Sequence, residues 1–135
     1  MIIRSKTVAV KTKTSEALID ISSLVSSFVK ESGVEEGYAN VFIPHTTAAV
    51  TINENADPDV CDDMLLGLRK ICPNKTEFKH AEGNSDAHIK SSIIGCNQMV
   101  IIENGRLVLG TWQGIYLCEF DGPRNRNVII QVMGE

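Results

Sequence analysis

Two short runs near the C-terminal end, Ile115-Tyr116-Leu117-Cys118 and Val128-Ile129-Ile130, are apolar at consecutive positions. Consecutive side chains of a β-strand point to opposite faces, so a strand that is apolar throughout must be covered on both faces. A chain of 135 residues reads as one domain, which buries roughly 65–70% of its unfolded surface. It has few elements with which to cover a sheet twice. Either a helix layer closes the second face, or other copies of the chain bury part of the sheet; the second is the expectation.

The remaining elements follow from periodicity. Residues 2–12 alternate apolar and polar, as an N-terminal strand would. Leu18, Ile21, Val25 and Phe28, widened by Leu24 and Val29, predict a helix from Ser15 to Glu31, ended by Ser32-Gly33. Strands are expected over 37–43 and 47–53, broken by Pro44-His45. Asp57-Pro58 supplies an N-cap and a first-turn proline for a helix to Ile71, with Asp59, Asp62 and Asp63 near its positive end. A polar segment, 73–87, leads into a short helix from Ser85 to Ile94, closed by Gly95. Strands over 98–102 and 106–109 flank Asn104-Gly105, a favoured hairpin turn, and two more cover 111–120 and 127–132.

Composition limits the function classes. The formal net charge of -4 implies no basic face, which disfavours nucleic acid and anionic membrane surfaces as partners. No apolar run reaches bilayer length, and Met1–Val10 lacks the apolar stretch of a signal peptide. Cys61, Cys72, Cys96 and Cys118 include no close pair, a pattern of reduced, mostly buried thiols in a cytoplasmic protein.

The chemistry-bearing residues concentrate in breaks between these elements. His80-Ala81-Glu82-Gly83-Asn84-Ser85-Asp86-Ala87-His88 is too polar for core, and the third histidine, His45, lies in Pro44-His45-Thr46-Thr47. If the two segments meet, three imidazoles converge. Such a site suits a transition metal held by His45, His80 and His88, contact with an anion, or proton transfer near neutral pH. Thr46 and Thr47 add hydroxyl and backbone donors. Asn84-Ser85 opens a helix whose free N–H groups attract phosphate, although either residue serves equally as a simple cap. Asn53-Glu54-Asn55 reads first as a turn, with Glu54 the acid available as a general base. Arg124 and Arg126 are forks for phosphate or carboxylate, or for Glu119 and Asp121 beside them. Trp112 suits core or an interface, and Gln113 beside it a polar network.

Taken in order, Pro44-His45-Thr46-Thr47-Ala48-Ala49-Val50-Thr51-Ile52-Asn53-Glu54-Asn55, His80 with Asn84-Ser85-Asp86-Ala87-His88, Gly110-Thr111-Trp112-Gln113 and Asp121-Gly122-Pro123-Arg124-Asn125-Arg126 resemble the YjbQ-like family over essentially the whole chain. The resemblance implies one α+β domain over residues 1–135, with a mixed β-sheet folded into a sandwich, flanking helices and a homotrimeric assembly. It implies secondary thiamine-phosphate synthase activity, a transferase reaction joining hydroxymethylpyrimidine diphosphate to thiazole phosphate with release of pyrophosphate. The expected catalytic residues are His45, His88 and Glu54; those for substrate phosphate are Thr46, Thr47, Asn53, Asn84, Ser85, Gln113 and Arg124. A divalent metal, Zn or Mg, is the implied cofactor, and a small phosphorylated substrate or anion the implied partner. The alternatives are a metal-dependent hydrolase built on the three histidines, with Glu54 as base, and a non-enzymatic phosphometabolite-binding protein.

Overall fold

Eight strands and three helices account for the computed structural model, which describes residues 1–135. They are β1 (Ile2–Lys11), β2 (Ala17–Asp20), α1 (Ser22–Ser32), β3 (Gly37–Phe42), β4 (Ala48–Glu54), α2 (Pro58–Ile71), α3 (Ser85–Ile94), β5 (Asn97–Glu103), β6 (Arg106–Leu107), β7 (Gln113–Glu119) and β8 (Asn125–Gly134). The strands form a five-stranded sheet, β1-β8-β3-β5-β6, and a three-stranded sheet, β2-β7-β4. The fold is α+β, as expected. The sheet is not mixed: every pairing is antiparallel. Parallel neighbours need a crossover that returns to the same sheet. Here both helical connections, β2-α1-β3 and β4-α2-α3-β5, leave one sheet and enter the other.

One core joins the two sheets. Val41 of β3, Val100 and Ile102 of β5 and Val128 and Ile130 of β8 share it with Val50 of β4 and Ile115 and Leu117 of β7, and Val25, Phe28 and Val29 of α1 complete it. The other face of β7 is covered from within the chain. Cys118 and, just beyond the strand, Phe120 pack with Ala49 and Ala87, backed by Leu65, Leu68 and Ile94. The doubly apolar strand is thus closed by α2 and α3 rather than by another copy. What stays uncovered is the outer face of the larger sheet, where the cross-strand row Ile3–Met133–Tyr38–Ile101 is exposed.

The predicted helix from Ser15 begins late. Residues Ala17–Asp20 are drawn into a ladder with Glu119–Tyr116, and the Asp20 carboxylate accepts the Ser22 N–H at 2.8 Å, so α1 starts only at Ser22. Strand pairing here outweighs a helical spacing. Other signals are realised as read: Asp57 caps α2 by accepting the Asp59 N–H at 2.9 Å. Asn104 and Gly105 take the positive φ values (52° and 72°) of the β5–β6 hairpin turn. The following strand is shorter than expected, Arg106–Leu107.

Helix α3 is fixed by two contacts that matter for the site. Ser91 Oγ donates to the Ala48 carbonyl at 2.6 Å, tying the helix to β4. On its buried side the Lys90 ammonium sits 3.5 Å from Glu16 and 3.8 Å from Asp86. None of the four cysteines is paired; Cys72 and Cys118 are buried, Cys61 is half-buried, and Cys96 is exposed against expectation. No helix is long and apolar enough to cross a membrane.

Candidate functional site

The three histidines do meet. Pro44, His45, Thr46, Thr47, His80, Glu82, Asn84, His88, Arg124 and Arg126 line one hollow of about 440 Å³ with no hydrophobic residue among them. A second hollow of about 350 Å³ shares His45, Thr46 and His88 with it and is completed by Ser91, Ser92, Gly95 and Cys96. His45 comes from the β3–β4 connection, His88 from α3, and His80 from the polar segment before α3. The His80 and His88 rings stand edge to face, 5.4 Å between centroids at 89°.

His45 is held in one chemical form. Its Nε2 accepts the Asn127 backbone N–H at 2.8 Å, so in the neutral ring the proton resides on Nδ1. Partial burial, reinforced by the Arg126 charge and partly offset by Glu119, holds its pKa below the ordinary 6.5. The ring therefore stays neutral near pH 7 and offers an N–H donor.

Behind His45 lies a buried ion pair. Arg126 is 4% exposed and Glu119 is fully buried. Arg126 Nε donates to one Glu119 oxygen at 2.9 Å, and Nη2 to the other oxygen and to the Thr47 hydroxyl and carbonyl. Thr12 Oγ1 donates to Glu119 at 2.7 Å, and the Asp121 N–H donates at 3.0 Å. Burial alone would raise the Glu119 pKa; the hydrogen bonds from Arg126, Thr12 and Asp121 outweigh it and hold the carboxyl below its usual range. A buried charge pair is tolerable when its remaining donors and acceptors are occupied; both Glu119 oxygens and the Nε and Nη2 of Arg126 are so engaged.

Arg124 differs. It is half exposed and leans on Asp121, with Nε to the Asp121 carbonyl and Nη2 to its carboxylate, both at 2.8 Å; Glu82 lies 3.7 Å away. Its Nη1 has no protein partner. Gly122 seats this turn against the N-terminal segment: a Cβ there would fall 2.2 Å from the Thr14 carbonyl oxygen. Asn84 does not cap α3 with its side chain. Its Nδ2 instead bridges Asp121 at 2.8 Å and Glu82 at 3.1 Å, and its Oδ1 is buried without a partner. Burial works against the Asp121 charge, but the hydrogen bonds from Asn84 and Arg124 prevail and lower its pKa.

The site is therefore smaller than the expected residue set. His45, Thr46, Thr47, His80, Asn84, His88 and Arg124 come together; Glu54, Asn53, Gln113 and Ser85 do not line the hollow. Glu54 ends β4, six residues beyond Ala48, about 20 Å along the strand. Asn53 Oδ1 accepts the Glu54 N–H, and Gln113 Oε1 accepts the Gly110 N–H, so both close local turns. Thr47 is buried and engaged by Arg126, which leaves Thr46 as the exposed hydroxyl. The metal reading requires three imidazole lone pairs, and His45 Nε2 is already engaged by Asn127. No group of three or more His, Cys, Asp or Glu side chains is arranged to hold a metal ion. The residues present do not fit a three-histidine centre.

Comparison with known proteins follows from this picture. The family described as "UPF0047 protein YjbQ-like" matches residues 6–135. The chain belongs to this YjbQ-like UPF0047 family. It is 54% identical over 130 residues to UPF0047 protein YugU of Bacillus subtilis, covering 96% of this chain and 98% of that protein. A UPF0047 protein of Methanocaldococcus jannaschii is 50% identical over 126 residues, covering 93% and 91%. Among solved structures, a YjbQ/UPF0047 protein of Clostridium acetobutylicum superposes with TM-score 0.93 at 55% identity, covering 95% of this chain and 99% of that one. A protein of Sulfolobus solfataricus described as of unknown function superposes with TM-score 0.95 at 31% identity, covering 98% of both. These relatives overturn the expected synthase function. They are known as UPF0047 or YjbQ-like proteins, one of them expressly of unknown function, and none is described as a thiamine-phosphate synthase.

Sequence reasoning missed Glu82, Thr12 and the Asn127 backbone as parts of the site. The alternation Glu119, Asp121, Arg124, Arg126 across one turn was the legible sign of the pairing. Nothing local marks Thr12, which reaches Glu119 only through the fold.

Proposed function

We propose that the histidine hollow binds a small hydrophilic metabolite through a phosphate group and can exchange a proton with it. The observation that supports this reading is the division of labour among the cleft's polar groups. Neutral His45 presents Nδ1–H, Thr46 a free hydroxyl and Arg124 an unengaged Nη1, a set of donors for phosphate oxygens. Asn84 Oδ1 and Glu82 are acceptors for a hydroxyl or amine elsewhere on the ligand. His80 and His88, edge to face at the rim, are imidazoles placed to hydrogen-bond the ligand or relay a proton to it. The absence of apolar lining argues for a ligand without a hydrocarbon body.

Two further readings belong here. The uncovered apolar row of the larger sheet supports self-association, and we read the assembly as a homotrimer; sedimentation at three times the chain mass is the check. Four unpaired thiols are in keeping with a reducing compartment such as the cytoplasm.

Calorimetric titration with inorganic phosphate and with pyrophosphate tests the site. The expected result is saturable binding of one anion per chain, weakened about tenfold by Arg124→Gln and by His88→Ala. Binding that ignores both substitutions, or fails to saturate, overturns the reading.

A further inference from the structure

A hollow of about 510 Å³ lies in a different place. It lies between the C-terminal half of α1 and the β5–β6 hairpin. That is beyond the Gly37 end of β3, whereas the histidine cleft lies beyond the Phe42 end. Its volume is in the range of a small-molecule site. Unlike the histidine cleft it has an apolar floor: Val29 and Val34 are buried beneath it, and Leu107 and Leu109 are half exposed on it.

Its walls also carry charge. Lys30 stands on the helix wall and Arg106 on the hairpin wall, and neither enters an ion pair or a side-chain hydrogen bond. The one carboxylate lining the hollow, Glu35, is drawn to the turn; a Cβ on Gly105 would meet its oxygen at 3.1 Å. Among the lining residues two unpaired cations face one carboxylate, and the Glu36 carboxylate stands outside the lining, held by the Asn104 N–H.

The turn is firmly held, so the walls are preformed. Gly105 N–H donates to the Glu35 carbonyl at 3.0 Å, and Asn104 N–H to the Glu36 carboxylate at 3.0 Å. We propose that this hollow is a second ligand site, for an amphipathic monoanion: a compact hydrocarbon body on the leucine floor and one carboxylate between Lys30 and Arg106. The apolar floor excludes the strongly hydrated ligand suited to the histidine cleft, and the paired cations select an anion over a neutral molecule of the same shape. The proposal does not depend on the function assigned to the histidines.

Decanoate, kept below its micelle concentration, is the probe, with decanol as the neutral control. Amide chemical shifts are followed in the wild type, Lys30→Gln and Arg106→Gln. Both substitutions are at exposed positions and leave the core intact. The expected result is saturable decanoate shifts at Val29, Gly105 and Leu107, weakened about fivefold or more in each variant, with decanol binding the wild type about fivefold or more weakly than decanoate does. Equal binding of decanol and decanoate overturns the anion selectivity. Shifts confined to the exposed sheet face around Tyr38 and Ile101 overturn the location. Shifts of the hollow that follow protein concentration rather than decanoate identify it as a self-association surface, which also contradicts the proposal.

Discussion

The two walls of the histidine cleft are built on opposite principles. On one side, Glu119 is fully buried and Arg126 nearly so, with Thr12, Thr47 and the Asp121 N–H bonded to them. His45 rests against this block, its ring nitrogen fixed by Asn127. On the other side, His80 and Glu82 are exposed and belong to a segment without regular structure between α2 and α3. Only Asn84 and the Glu82–Arg124 approach tie that wall to the first. The difference teaches where precision is stored. The buried wall sets the tautomer and position of His45 whether or not a ligand is present. The exposed wall supplies groups that a ligand can reorganise at small cost.

The largest effect should come from the buried wall. Arg126→Met leaves the Glu119 carboxylate buried without its partner, which should lower the unfolding free energy by about 3–5 kcal/mol in a denaturant titration. A loss below about 1 kcal/mol would mean that the block is not the rigid half of the site. The double variant Arg126→Met with Glu119→Leu should recover much of the loss, because no unpaired charge then remains.

His88→Ala comes next and should separate binding from stability. His88 is half-buried on a helix held by Ser91 and Lys90, so unfolding should change by no more than about 1 kcal/mol while phosphate affinity falls about tenfold. An equal fall in both would return His88 to a packing role.

The pH profile sharpens the comparison further. The folded pKa of His45 is below its unfolded value of 6.5, so the unfolded chain binds more protons just below that pH. The contribution of this group is present above pH 6.5 and is lost as pH falls through the lowered folded value. Glu119 acts in the same direction in a lower window, below its ordinary 4.5. Thermal melts from pH 7.5 to 5 should decline in the wild type and flatten in His45→Gln, whose side-chain oxygen still accepts the Asn127 N–H. Identical slopes would remove His45 from the account.

The smallest effect is expected at the exposed wall. Glu82→Gln should alter stability by less than about 0.5 kcal/mol and change phosphate affinity modestly, upward, as one negative charge leaves the cleft. A large destabilisation would show that this wall is as constrained as the other.

Local signals were legible where the physics is local. The Asp57 cap, the Asn104-Gly105 turn and the glycine closing α1 are each decided within a few residues. Convergence of the histidines was readable as two polar breaks in apolar context. One feature was not readable, because it depends on the register between distant strands: Ala17–Asp20 joins β7 only because residues 116–119 lie beside it. The separation of Glu54 from His45, by contrast, was already implied by the strand expected over 47–53. The cover over β7 was ambiguous for a related reason: the stripe Leu65, Leu68 of α2 could face either this sheet or another copy.

The most direct test of the central claim is the histidine-ring NMR spectrum during titration with phosphate. The account predicts that His45, His80 and His88 resonances all move with one shared saturation curve, while His45 retains a proton on Nδ1 throughout. Movement of His80 alone, or a His45 ring that carries its proton on Nε2, would contradict the account of a donor site preformed against the buried Arg126–Glu119 wall.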